Sequence, residues 1–369
     1  YLAAFEIDDP LLVIDTDVVA SNYMAMSRSL PVGRIFYAVK ANPEHAVIAK
    51  LAALGSCFDT ASRNEIDLCL AHAVTPDRIS YGNTIKKQRD IEYAYARGVG
   101  LFAFDSDVEL EKLAESAPGA MVYCRVLMEC EGAEWPLSRK FGCEPEMALR
   151  LLVRAKELGL DPYGVSFHVG SQQTDLSQWD VALSRVAELF EDAEDLGVTL
   201  RMVNLGGGMP ARYRSDVRPM EEYAGAIVNA ISTNFKHGFP ELIFEPGRSV
   251  VGDAGVIQAE VVLISRKSDN DEKRWVYLDI GKFSGLAETM DESIKYRFVT
   301  PHDGGKTGPV ILAGPTCDSA DILYEKVAYE LPLDLKIGDK VQILSTGAYT
   351  TTYSAVAFNG FEPLQTVCI

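Results

Sequence analysis

The stretch Arg34–Asn42, RIFYAVKAN, holds the reading on which the fold turns. Ile35 to Val39 are apolar or aromatic and read as a buried strand, and Lys40 arrives at its end. Lysines are almost never fully buried unless paired, so a lone lysine would read as a solvated loop residue. The pattern around it decides otherwise. From about residue 16 to about residue 250, short apolar runs alternate with longer amphipathic segments. The runs are RIFYAV, SCFDT, RISYG, LFAFD, AMVYCRVL, YGVSFHV, RMVNLG and LIFEP. Between them lie stretches of helical spacing such as PEHAVIAKLAALG, SRNEIDLCLAHA, EMALRLLVRAKELG and WDVALSRVAELFEDAEDLG, several ending in Gly, a common helix stop. Eight strands, each but the last followed by a helix, predict a parallel sheet. Eight is the number that closes a (β/α)8 TIM-type barrel. A doubly wound open sheet is the competing arrangement, because a strand count from one sequence slips easily by one or two.

After about residue 252 the texture changes. AGVIQAEVVLISRK, KRWVYLDIG, PVILAG and DKVQILST are β-rich and separated by Gly, Asp and Lys turns. They predict a second, mostly antiparallel β domain, which the early strand PLLVIDTD joins. The expected division is a barrel over 16–252 and a β-sandwich or β-barrel domain from 1–15 and 253–369.

Composition excludes several classes. The 369 residues suffice for two domains. No run of eighteen apolar residues occurs, so no membrane span is expected. The opening YLAAFEIDDP has no basic region ahead of an apolar stretch, so a cytoplasmic location is the expectation. Seven cysteines without C-x-x-C pairs argue against a metal site and against a disulfide framework. A net charge of −18 repels phosphate backbones and excludes nucleic acid as a partner.

In such barrels the chemistry sits at the carboxyl ends of the strands. Lys40 ends the first strand, Asp59 the second, and His168 the sixth; Arg125 lies in the fifth. Gly206, Gly207 and Gly208 follow the seventh, and EPGR, Glu245 to Arg248, follows the eighth. The last two places are where these barrels often hold a phosphate: glycines bring backbone N–H groups close, and Arg248 adds a charge-assisted bond. Taken singly, three glycines make a tight turn and His168 is a core histidine. Neither G-x-G-x-x-G nor a Walker A motif is present. Taken together, lysine, phosphate site and acid point to pyridoxal 5'-phosphate. Lys40 supplies the amine for its aldehyde, Glu245 a carboxylate for its ring nitrogen, and His168 a flat face for the ring.

The motifs FYAVKAN, FDTAS, KFG, FHVGSQ, GGG, EPGR, GPTCDSAD and GAYTTTYSAVAFNGF cover nearly the whole chain. By them the chain resembles the alanine-racemase-like (fold type III) pyridoxal phosphate enzymes, and within these the ornithine/lysine decarboxylases of bacterial short form. The first six motifs are shared with diaminopimelate decarboxylases; the last two look more like the ornithine/lysine branch. The resemblance implies Lys40 as the Schiff-base lysine, Glu245 as the ring-nitrogen partner and His168 as the residue stacked on the ring. It implies a phosphate held by Ser171, the backbone of Gly207, Gly208 and Gly247, Arg248 and Tyr349, with Asp59 and Arg125 near the Schiff base. Cys317 is implied as the acid that returns a proton to the α-carbon, and Asp318 as the anchor of the distal ammonium. The family's GPTCDSAD loop enters the neighbouring subunit's site, which implies a homodimer; Lys140 and Asp321 match positions that pair across that interface.

The substrate's far end decides the reaction's name, since an ammonium needs acids and a carboxylate needs arginine. KFSGLAETMDESIKYRF carries Glu288, Asp291 and Glu292, and Glu292 is expected as a second distal-amine contact; a solvated acidic turn is the plain alternative. No arginine clamp is evident there, which favours L-ornithine and/or L-lysine as substrate, with putrescine or cadaverine as product in polyamine biosynthesis. Phe283 departs from the tyrosine of eukaryotic ornithine decarboxylases, and FHVGSQ from their glycine-bearing version. Ornithine and lysine differ by one methylene, worth about 1–3 kcal/mol in a pocket, so chain length stays open. The competing readings are decarboxylation of diaminopimelate, carboxynorspermidine or diaminobutyrate, a racemase, and an antizyme-inhibitor-like pseudo-enzyme. The last would be expected to lack cofactor or proton-donor residues, yet Lys40, Glu245, Cys317 and Asp318 are all present.

Overall fold

The computed structural model describes residues 2, 8–128, 133–135, 140–236, 238–356 and 358–369. It begins with β1 (Leu11–Ile14) and α1 (Thr16–Ser29), a helix that the repeating pattern of the sequence does not mark. Then come β2 (Gly33–Ala38), α2 (His45–Ala53), β3 (Cys57–Thr60), α3 (Arg63–Ala71), β4 (Ile79–Tyr81), α4 (Gln88–Ala96), β5 (Leu101–Phe104), α5 (Asp107–Ser116) and β6 (Met121–Arg125). Past the short β7 (Ala133–Trp135) lie α6 (Pro145–Glu157), β8 (Asp161–Ser166), the short β9 (Ser171–Gln173), α7 (Ser177–Asp195), β10 (Met202–Asn204), α8 (Met220–Asn234), β11 (Glu241–Phe244) and the single turn α9 (Arg248–Val251).

Strands β2, β3, β4, β5, β6, β8, β10 and β11 close a barrel, each paired in parallel with its neighbours. Closure by β10 between β8 and β11 rules out the open sheet. All eight apolar runs became barrel strands. The reason is burial on both faces, which turns a strand into a continuous apolar run. Phe36, Cys57, Leu101, Ala103, Tyr123, Met202 and Ile243 form one buried cluster contributed by six of these strands. The helices cover the outside through one stripe each. In α6 the buried residues are Ala148, Leu151, Leu152 and Ala155, spaced three, four and seven apart as one helix face requires. Each buried leucine contributes on the order of 2 kcal/mol, and Leu152→Ala would cost about 2–5 kcal/mol.

The rest of the chain builds a mixed, mostly antiparallel sheet from β12 (Gly255–Ser265), β13 (Arg274–Leu278), β14 (Arg297–Val299), β15 (Thr307–Ala313), β16 (Ile322–Pro332), β17 (Lys340–Leu344) and β18 (Gln365–Cys368). The early strand β1 belongs to it, antiparallel to β12 and parallel to β18. Two compact units result: residues 20–210 with 217–250, and residues 1–19 with 211–216 and 251–369. Among the described residues no helix is long and apolar enough to cross a membrane.

Candidate active site

Lys40 owes its position to its neighbours. β2 ends at Ala38, and Val39–Ala41 form a single tight turn in which Val39 and Ala41 are buried and Lys40 is exposed. The Ala38 N–H donates to Pro246 O at 3.0 Å, tying this strand end to that of β11. Tyr37 Oη donates to Asn42 O at 2.9 Å, and Asn42 Oδ1 accepts the Glu44 N–H at 3.0 Å. With the backbone fixed on both sides, the ammonium is delivered at the carboxyl rim. The strand is buried and its lysine is not, which resolves the oddity of the sequence.

Two acids answer that charge. Asp59, the third residue of β3, is 5 % exposed and accepts a hydrogen bond from Ser80 Oγ at 3.1 Å. Burial, with Glu245 nearby, pushes its carboxyl well above the usual range, while Lys40 pulls it back. Gly82 makes room for it, since a Cβ there would overlap the Asp59 carboxylate. Glu245, directly after β11, is pushed up by burial and held down by an amide hydrogen bond from Asn204 and by the cations Lys40 and Arg125.

His168 lies just past β8. Its Nδ1 accepts the Gly170 N–H at 2.9 Å, so in the neutral ring the proton sits on Nε2. Burial, Arg125 and Lys40 together push its pKa down to about 3, which keeps the imidazole neutral. Arg125 ends β6 with its guanidinium 5.3 Å from the Phe141 ring centre, within cation–π range.

The glycine turn supplies donors. Gly206 and Gly208 take φ of 64° and 96°, which side-chain-bearing residues rarely adopt. A Cβ on Gly207 would lie 2.7 Å from Glu245 O and 3.6 Å from His168 Nε2. Gly206 spends its N–H on Asn204, whereas among the described residues the N–H groups of Gly207 and Gly208 have no hydrogen-bond partner. Ser171 opens β9, and Gly247 and Arg248 follow Glu245, with Arg248 only 5 % exposed. An amine, a neutral imidazole, a carboxylate, a buried guanidinium and bare backbone donors on one barrel rim fit pyridoxal phosphate.

The remaining expected residues belong to the β unit. Tyr349 has a φ of 56° and stacks obliquely on Tyr353 at 5.6 Å. Cys317 is an exposed free thiol whose N–H donates to Asn359 Oδ1 at 3.0 Å. Asp318 is exposed, its Oδ1 accepting the Ala320 N–H at 2.8 Å. Asp321 is 3 % exposed and accepts from Lys282 N–H at 2.7 Å, Thr316 N–H at 3.1 Å and Thr316 Oγ1 at 2.7 Å. Its carboxylate thus shapes its own loop, while Lys140 lies exposed over the Phe141 ring.

Glu292, expected as a distal-amine contact, is engaged by its own unit. Its oxygens accept the backbone N–H groups of Glu325, Lys326 and Val327 at 2.8, 2.8 and 2.6 Å. Three of the carboxylate's acceptor sites therefore serve β16. The acidic run ETMDE does not reveal which of its acids folds back onto β16. Two further residues were not among those expected. Asn204 holds Glu245, its only outward signal being a polar residue just ahead of the glycines. Ser62 caps α3, its Oγ accepting the Glu65 N–H at 3.3 Å, while Glu65 Oε2 reaches back to accept the Ala61 N–H at 2.6 Å. The S-x-x-E spacing of a capping box could have revealed it.

Residues 16–252 match the family described as pyridoxal-dependent decarboxylase, pyridoxal binding domain. The chain is similar to a lysine/ornithine decarboxylase of Selenomonas ruminantium, 35 % identical over 366 residues, covering 99 % of this chain and 90 % of that one. It is also 34 % identical to antizyme inhibitor 2 of Xenopus laevis, covering 96 % of this chain and 79 % of the other. The crystal structure of a lysine/ornithine decarboxylase from Vibrio vulnificus complexed with cadaverine superposes with a TM-score of 0.88 at 31 % identity, covering 100 % of this chain and 96 % of that one.

Proposed function

The chain belongs to the pyridoxal-dependent decarboxylases, and we propose that it converts L-ornithine and/or L-lysine to putrescine and/or cadaverine. When bound, pyridoxal phosphate supplies a sink for the electron pair that carbon dioxide leaves behind. The observation that supports the reading best is the gathering of Lys40, Asp59, His168 and Glu245 on one barrel rim, where Lys40 acts electrostatically on all three others.

Lys40 Nζ is the amine that would hold the cofactor's aldehyde. Glu245 would offer a negative charge to the ring nitrogen, and Asn204 and the rim cations favour its ionised form against burial. His168, neutral at ordinary pH, offers a flat face without adding a further cation to the rim. Ser171, the Gly207 and Gly208 N–H groups, Gly247, Arg248 and Tyr349 would hold the phosphate, with Asp59 and Arg125 bordering the amine. Cys317 Sγ carries the proton destined for the substrate's α-carbon, and Asp318 receives the distal ammonium. Loss of a carboxylate is favoured in a dry, apolar spot, so no arginine is assigned to it.

The same reading includes a homodimer that completes each site with the 314–321 loop, a cytoplasmic place in polyamine synthesis, and no nucleic-acid or membrane partner. The barrel is assigned to 16–252 and the β domain to 1–15 and 253–369. The likeness to an antizyme inhibitor is the observation that favours a second, non-catalytic reading, but the chain retains Lys40, Glu245, Cys317 and Asp318. Product analysis after incubation with cofactor and ornithine, lysine or diaminopimelate tests the proposal. Putrescine or cadaverine is expected; turnover of diaminopimelate alone, or no turnover at all, would overturn it.

A further inference from the structure

Asn204, the last residue of β10, is 1 % exposed. Its amide is held at both ends. Oδ1 accepts the Gly206 N–H at 2.9 Å, and Nδ2 donates to Glu245 Oε1. The first bond fixes which end is oxygen, because a backbone N–H can only donate. The end facing Glu245 is therefore the NH2 group. The Glu245 N–H in turn donates to Gly206 O at 2.7 Å, so the backbone and the carboxylate of Glu245 are tied to the same short turn. Sheet register produces this arrangement. Asn204 lies opposite Ile243 of β11, and Gly206 and Glu245 each come two residues later.

We propose that Asn204 is a positioning residue that fixes the rotation and the charge of Glu245, occupying Oε1 and reserving Oε2 for the ring nitrogen of the cofactor. This rests on the assignment of Glu245 to the ring nitrogen under the proposed function. Charge decides the matter. A neutral amide donor stabilises the ionised carboxylate against the burial that favours its neutral form. A carboxyl group at 204 could donate only when protonated, and two ionised carboxylates at hydrogen-bond distance repel. A methyl group at 204 would leave Oε1 without its donor, release the Gly206 N–H and let the Glu245 carboxylate rotate.

The test is pyridoxal phosphate affinity as a function of pH, measured by titrating cofactor into the apo forms of wild type, Asn204→Asp, Asn204→Ala and Glu245→Ala. Asn204→Asp is expected to bind within about twofold of wild type near pH 6, where the two acids share a proton, and about tenfold more weakly than wild type at pH 9. Asn204→Ala is expected to weaken binding about tenfold at every pH, as loss of one charge-assisted hydrogen bond would. A ratio of Asn204→Asp to wild type that does not change with pH overturns the proposal, since a purely steric role would show no pH dependence. If Asn204→Asp does not fold, Asn204→Gln replaces it, and wild-type affinity in both the Gln and Ala variants overturns the proposal. Wild-type affinity in Glu245→Ala would instead refute the assignment of Glu245. Loss of affinity in Glu245→Ala, with the Asn204→Asp ratio flat across pH, would refute only the role of Asn204.

Discussion

The barrel rim and the 314–321 loop carry reactive groups in opposite styles. On the rim, Asp59, His168 and Glu245 each have a partner within the barrel: Ser80, the Gly170 N–H and Asn204. On the loop, Cys317 and Asp318 stand exposed, and only the buried Asp321 beneath them is fully engaged. The difference teaches where preorganisation was built in. Rim side chains are set before any ligand arrives, while the loop presents its thiol and carboxylate from a rigid base. Cofactor binding should therefore depend on the rim and not on this loop, and turnover on both.

The largest expected effect comes from the rim. Lys40→Ala should abolish the cofactor's visible absorbance band and lower activity by about 10³-fold or more. Cys317→Ala should keep that band while losing about 10²-fold in correct turnover, as removal of a general acid does. Full turnover in the cysteine variant would break the comparison. Next in size is Asp321→Ala, which strands three hydrogen-bond donors and should cost about 3 kcal/mol in a urea unfolding transition. If it left stability unchanged, the loop's rigid base would be an illusion.

Smaller effects sharpen the contrast. Glu292→Gln should cost about 1 kcal/mol of stability and leave KM unchanged, because its oxygens serve three backbone donors of β16. A large KM change measured with the diamino acid would restore Glu292 to the substrate. An effect of similar size is one of pH. His168 is held near pKa 3, below its unfolded value near 6.5. The unfolded chain therefore binds more protons between those values, and this contribution to stability is present above about pH 6.5 and is lost as pH falls. Between pH 6.5 and 5.5, wild type should lose about 1 kcal/mol more than His168→Gln, read from paired denaturation curves.

How far the sequence could be read depended on what each residue answers to. RIFYAV, LFAFD and LIFEP were legible as barrel strands because double-sided burial leaves unbroken apolar runs. The placement of Lys40, Asp59, His168 and Glu245 at the strand ends was legible because each directly ends or follows such a run. Asn204 and Ser80 were not, since their partners lie across the sheet and register is not written in either strand. The reach of Glu292 to β16 was not legible either, because three acids within five residues look alike in sequence. α1 was not legible because TDVVASNYMAMSRS precedes the first apolar run, RIFYAV, and follows no strand of the repeat.

The pairing of β1 with β12 joins Leu11 to Gln258, with the whole barrel encoded between them. During synthesis the first strand must wait, without its sheet neighbours, while the ribosome makes every barrel strand. The barrel's own pairings close mostly between consecutive strands, so it can condense early. The β sheet is the late assembler, and a translational pause just beyond residue 250 would leave a folded barrel trailing one unpaired, aggregation-prone edge.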